Sequence, residues 1–186
     1  MVADDHRVYK PLLIPQADSK GAKPGEKVFA EIVQWDDVKM DPIGRVKEVL
    51  GNPGDKDTEM NAIVLENGFM PNTDPEVVAA AEAIPDGLTA EELAVRRDFR
   101  NDLTFTIDPF DARDFDDAIC VRRLDHGGWE LGVFIADVAH YVRAGGAVDK
   151  EARKRGNSVY LVDRVIPMLP FHLSNGICSL NPHVDR

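Results

Sequence analysis

Five aspartates (Asp108, Asp111, Asp114, Asp116 and Asp117) fall within ten residues of the run Thr-Ile-Asp-Pro-Phe-Asp-Ala-Arg-Asp-Phe-Asp-Asp-Ala, residues 106–118. One arginine, Arg113, stands among them. A merely solvated acidic loop has no need of Ile107, Phe110, Phe115 and Ile119 threaded through its charges, so the pattern predicts a partly buried segment. Carboxylates held on such a segment repel one another and lose hydration, a cost that a nearby cation offsets. Clustered hard oxygens suit a divalent ion, Mg²⁺ above all. Sites of that kind hold phosphate groups for cleavage. The bland alternatives are a calcium loop or an acidic turn. Counted from Asp114, the EF-hand spacing finds Asp116 at its third position, but Ala118 at the fifth and Asp125 where a glutamate belongs.

The rest of the composition narrows the field. With 186 residues, 44% of them apolar and 30% charged, the chain reads as one ordinary globular domain or two small ones. It has no apolar run of about 18 residues and no apolar leader behind Met1, so neither a membrane span nor a secretory signal is expected, and the cytoplasm is the default location. Cys120 and Cys178 are the only cysteines, too few for a disulfide framework or a zinc ribbon. His6, His126, His140, His172 and His183 are scattered without a His-Glu-x-x-His spacing, which speaks against zinc hydrolysis. A net charge of −11 counts against a broad, non-specific nucleic-acid surface, though not against a phosphodiester reached through bound metal and a local basic strip.

The elements that must position the aspartates can be sketched from period and punctuation. Residues 8–16, 27–35 and 44–50 read as short strands, the second apolar on both faces and the third halted by Gly51-Asn52-Pro53-Gly54. Short strands with Gly/Pro turns over about 70 residues point to a small β-barrel of the OB type. Asp74-Pro75 is an N-cap and first-turn pair for one helix, and Thr89-Ala90-Glu91-Glu92 is a capping box for another. From Asn101 the character changes. Leu103–Ile107 predicts a strand that delivers Asp108 at its end. Gly128–Val142 predicts a buried strand or bent strand pair, with Asp137 and His140 as a buried structural pair in it. Asp149 is placed as the N-cap of a short helix ending at Gly156. Arg153, Lys154 and Arg155 form the one concentrated basic strip. It could contact phosphates, or simply favour a helix C-terminus.

Beyond these local readings, five ordered stretches closely resemble the start of the catalytic RNB domain of the ribonuclease R and ribonuclease II family, nearest to its ribonuclease R branch. They are residues 106–118, Val-Phe-Ile-Ala-Asp-Val-Ala-His-Tyr-Val (133–142), Asp-Lys-Glu-Ala-Arg-Lys-Arg-Gly-Asn-Ser-Val-Tyr-Leu (149–161), Val-Ile-Pro-Met-Leu-Pro (165–170) and Leu-Ser-Asn-Gly-Ile-Cys-Ser-Leu-Asn-Pro (173–182). The N-terminal β segment resembles, less specifically, the cold-shock region that precedes this domain. The resemblance implies an α+β protein: a partial cold-shock, OB-like barrel over residues 1–72, a helical linker over 73–100, and the N-terminal part of a mixed α/β RNB domain over 101–186, cut short within that domain.

The function so implied is processive 3′→5′ hydrolysis of RNA to nucleoside 5′-monophosphates with Mg²⁺, acting on a single-stranded 3′ end, by a monomer. By the same resemblance Asp108, Asp114, Asp116 and Asp117 are the metal-holding, catalytic carboxylates, and Asp111 is extra to the set. Asp116 matches a position needed for turnover and not for RNA binding. Tyr160 matches a tyrosine that stacks on a terminal base, and base stacking is indifferent to sequence. Read without the resemblance, Tyr160 is equally a half-buried strand residue. With Arg153 and Arg155 it completes the expected RNA contacts. Trp35 and Phe29 are expected in core packing, and both cysteines as small buried side chains. Two rival readings stand beside the nuclease. One is a non-catalytic RNA-binding or metal-binding remnant. The other is a cold-shock-like RNA chaperone, disfavoured by the scarcity of aromatics before residue 73.

Overall fold

In the computed structural model, which describes every residue except His6, the strands Lys27–Gln34 (β1) and Ile43–Gly51 (β2) pair antiparallel. Their register slips between Lys27 and Val28, between Phe29 and Ala30, and between Ile32 and Gln34. Each slip breaks the strict in–out alternation that a flat strand would keep. The first expected strand, 8–16, is not one: Leu13 alone makes a parallel bridge to Ile43, and Gln16–Asp18 forms a 3₁₀ turn. Pro11 and Pro15 explain this, since neither has an N–H to give to a ladder. Among the described residues no closed barrel forms. The two-stranded sheet, with the Leu13–Ile43 bridge at its edge, is the β-structure of this unit among the described residues.

A helix that the periodicity did not announce, Lys56–Glu66 (α1), completes this first unit, Met1–Pro71. Its charges come first and its apolar residues last, so no stripe at helical spacing marks it. Val64 and Leu65 are buried, as are Leu12 and Val46. Thr58 on α1 donates from its hydroxyl to the carbonyl of Leu50 at 3.1 Å. That contact explains Gly51, which has φ +126° and where a Cβ would lie 2.6 Å from the Thr58 hydroxyl.

The second unit is Asn72–Arg186. Its helices Pro75–Glu82 (α2) and Ala90–Val95 (α3) begin where the sequence places them. The Asp74 carboxylate accepts from the Glu76 N–H at 2.9 Å, and Thr89 and Glu92 form the reciprocal box. The segment expected as a linker therefore carries two helices, and α2 packs into the core of this unit. Val77 and Ala81 on α2 are buried with Val148, Leu169, Leu173, Ile177 and Cys178. Val148 lies on Ala147–Arg155 (α5), while Leu173 and Ile177 lie on a π-helical turn, His172–Ile177.

Beside that core runs an antiparallel sheet of Thr104–Phe105 (β3), Asp117–Arg123 (β4) and Trp129–Ile135 (β5), in that order. The long apolar run expected to be buried is exposed on one face instead. Trp129, Leu131, Val133 and Ile135 lie between 58% and 68% exposed. After β5 comes not a second strand but a short helix, Val138–Tyr141 (α4). Two residue pairs, Val159–Tyr160 (β6) and Val165–Ile166 (β7), close a small hairpin. Among the described residues no helix is long and apolar enough to cross a membrane.

Candidate active site

The aspartate run leaves β3 as an irregular loop and ends as the first residue of β4. Asp117 pairs with Ile135 in the sheet, and the carbonyl of Asp116 accepts from Ala136 N–H at 2.9 Å. The last two aspartates are thereby tied to the end of β5, whereas Asp111 sits on a turn closed by Ala112 N–H and the Pro109 carbonyl, with Asp108 just ahead of it. The segment is less buried than its apolar residues predicted. Phe110 is fully exposed and Ile107 is 80% exposed, while Phe115 and Ile119 are partly covered. The loop thus has little core of its own.

What shapes it comes from the end of the chain. Ser179, only 1% exposed, accepts the Phe115 N–H on its hydroxyl at 3.0 Å, and that hydroxyl donates to the Arg113 carbonyl at 3.2 Å. Leu180 N–H donates to the Phe115 carbonyl at 2.8 Å. No sequence signal marked Ser179, because a serine inside an apolar stretch looks like any satisfied hydroxyl until its partners are known.

Of the predicted site residues, the structure joins two directly. Tyr160 donates its phenolic hydroxyl to Asp114 Oδ2 at 2.8 Å across 46 residues of chain. That hydrogen bond, then burial, then the negative charges of Asp114 and Asp116 push the Tyr160 phenol above its ordinary pKa. The residue itself stays open, 65% exposed. Asp108, Asp114, Asp116 and Asp117 have no arginine or lysine partner within ion-pair distance among the described residues. Their oxygens are therefore not already neutralised by the protein. In kind, this all-carboxylate donor set suits a hard divalent cation. It is not preassembled: among the described residues no three acidic, imidazole or thiol side chains converge to hold an ion.

The basic strip divides. Arg153 is exposed and pairs with Asp149 one turn earlier at 3.1 Å, and Lys154 is similarly open beside Glu151. Arg155 corrects the expectation of an RNA contact. Its side chain is 7% exposed, pairs with Glu151 at 3.0 Å and donates to the carbonyls of Pro167 and Asn72. A guanidinium spent on those carbonyls is not presented to a phosphate. Gly146, not Asp149, is the N-cap of α5, and the Asp149 carboxylate reaches back from the first turn to accept the Gly145 N–H at 2.8 Å.

Asp137 and His140 are likewise not a buried pair. Arg96 donates to Asp137 at 2.7 Å and His140 Nε2 meets Glu92 at 2.7 Å, so both tie α4 to α3. The guanidinium of Arg96 holds the Asp137 carboxyl below its usual range. Cys178 is buried as expected, and burial pushes its thiol up to about 11. Cys120 is half-buried.

Comparison with known proteins matches residues 96–186 to the RNB domain and residues 1–72 to the cold shock domain. An RNB segment behind a cold-shock segment is the class of architecture that the chain presents. Residues 96–186 belong to the RNB family, and the chain as a whole is similar to ribonuclease R. It is 45% identical to Ribonuclease R of Thermotoga maritima over its whole length, which is 26% of that relative's length. Among solved structures it matches Mycoplasma genitalium RNase R in complex with double-stranded RNA with a TM-score of 0.86 and 34% identity, over 97% of this chain and 32% of that one. Yeast Ssd1, a pseudonuclease, matches with a TM-score of 0.68 and 27% identity over 93% of this chain and 23% of that one. The chain spans about a quarter of the length of ribonuclease R from Thermotoga maritima and Aquifex aeolicus, and less than half of any of these curated relatives.

Proposed function

We propose that this chain carries the metal-holding loop and the 3′-end stacking tyrosine of an exoribonuclease that degrades RNA processively in the 3′→5′ direction to nucleoside 5′-monophosphates. The observation that carries the reading is the hydrogen bond between Tyr160 and Asp114, together with their kinship to ribonuclease R. A base stacked on an exposed ring brings its own phosphate towards the carboxylates beside that ring. Asp108, Asp114, Asp116 and Asp117 would hold Mg²⁺, which when bound neutralises the phosphate and favours a water nucleophile. The protein's share is to orient: Asp114 fixes the tyrosine hydroxyl, the carbonyl of Asp116 fixes its own residue against β5, and exposed Arg153 stands ready for a backbone phosphate. The partner is the single-stranded 3′ end of an RNA, and the protein acts as a cytoplasmic monomer. The functional division is a cold-shock part over 1–72, connecting helices over 73–100 and an RNB part over 101–186.

Asp116→Asn tests this. It is expected to lower Mg²⁺-dependent release of mononucleotides from labelled single-stranded RNA by about 10³-fold or more while RNA affinity stays within about twofold. Retained hydrolysis by that variant refutes the assignment.

A second reading is favoured by two observations, the likeness to a pseudonuclease and the unconverged carboxylates. On it, the chain binds RNA or metal without turnover. Incubating labelled RNA with the protein in Mg²⁺, with and without EDTA, separates the two: binding without mononucleotides selects the second.

A further inference from the structure

Asp114 lies between two residues whose backbones are held by one buried side chain. Ser179 Oγ accepts from Phe115 N–H and donates to the Arg113 carbonyl, and the next residue, Leu180, closes a third hydrogen bond onto the Phe115 carbonyl. These bonds bracket a loop whose own apolar residues Ile107 and Phe110 lie out in solvent. Ser179 is in turn fixed from behind. Arg186 donates to the Ser179 and Gly176 carbonyls at 3.3 and 3.4 Å and pairs with Asp86 at 2.8 Å. The Asn181 amide donates to the Asn175 carbonyl at 3.0 Å, beside the turn that buries Leu173 and Ile177. The buried hydroxyl thus links the core of this unit to a segment in which five like charges repel. Without such a link those charges would spread.

We infer that Ser179 is a positioning residue for the aspartate loop: its hydroxyl sets the backbone of Arg113–Phe115 and so holds Asp114 against Tyr160, with Asp116 next along the chain. The consequence for turnover rests on the nuclease reading above; the consequence for the loop does not.

Ser179→Ala in the 186-residue chain is the test, with Ile177→Val as a control that loosens the same turn but leaves the clamp intact. Three readouts apply: amide exchange of Phe115 by NMR, half-saturation by Mn²⁺ followed by its EPR signal, and kcat and KM on single-stranded RNA. S179A is expected to speed Phe115 exchange about tenfold and raise the Mn²⁺ half-saturation by a similar factor, the weight of one lost hydrogen bond. It should lower kcat by about tenfold with KM within about twofold. I177V should lower the melting temperature and move none of these. Wild-type Phe115 exchange in S179A, or equal shifts in I177V, overturns the inference. If the unaltered chain neither takes up Mn²⁺ nor cleaves RNA, the nuclease reading fails and Phe115 exchange alone decides: lost protection upholds the clamp, kept protection overturns it. Should S179A not fold, S179C, which fills the same volume with a poor hydrogen-bonding group, is judged by the same outcomes.

Discussion

A tyrosine and an aspartate that meet at 2.8 Å carry most of the chemistry argued above, and they meet because β6 presents Tyr160 to the loop ahead of β4. Single residues elsewhere have equally local consequences. Burial raises the Cys178 thiol to about 11, against about 8.5 for an exposed cysteine. The folded chain therefore holds that proton more tightly than the unfolded chain does. The sign follows: this contribution to stability is whole below about pH 8.5 and is lost as pH rises through 11. At pH 9 iodoacetamide should modify half-buried Cys120 well before Cys178, which reacts only once the fold opens. Mass spectrometry of timed samples checks this, and equal rates at the two sites would contradict the burial.

At the level of elements, α5 shows how a basic strip can mislead. Its last turn carries Arg153, Lys154 and Arg155, yet the three do different work. Arg155→Ala would leave Glu151 with the longer contact to Lys154 and would free two carbonyls, so it should destabilise the chain by about 3 kcal/mol. Arg153→Ala removes an exposed pair one helical turn long and should cost no more than about 0.5 kcal/mol. Urea denaturation distinguishes the two; comparable midpoints would mean that the inward guanidinium contributes nothing. If Arg153 touches RNA, its loss should weaken binding while stability holds, which separates its role from that of its neighbour. The same helix ends at Gly156 with φ +80°, a conformation in which glycine is at ease.

For the molecule as a whole, a net charge of −11 sets the terms on which it would meet a polyanion. Many of its cations are already paired: Arg45 with Asp18, Arg100 with Asp98 and Asp185, Arg122 with Glu130, and Arg186 with Asp86. Association with RNA should therefore depend on divalent ions that screen or occupy the carboxylates. Fluorescence anisotropy with a labelled oligonucleotide should show at least about tenfold tighter binding in millimolar Mg²⁺ than in EDTA at matched ionic strength. Indifference to EDTA would argue that the aspartates take no part in binding. The exposed apolar face of β5 also belongs to this scale, because strand pairing alone does not decide whether a strand's apolar face is covered.

Taken alone, the order of residues determined the features that depend on near neighbours. These include the strands on either side of the 35–42 connection, the caps at Asp74 and Thr89, and the stop at Gly156. Each is settled within a few residues by backbone sterics or by a short-range hydrogen bond. Tertiary structure decided the rest. It turned Arg155 inward, left Ile107 and Phe110 in solvent, sent Asp137 and His140 to separate partners, and brought Ser179 across 64 residues to Phe115. Such pairings carry no period or cap to announce them. They exist only once distant segments pack, because a buried hydroxyl or guanidinium must take whatever partner the fold places beside it.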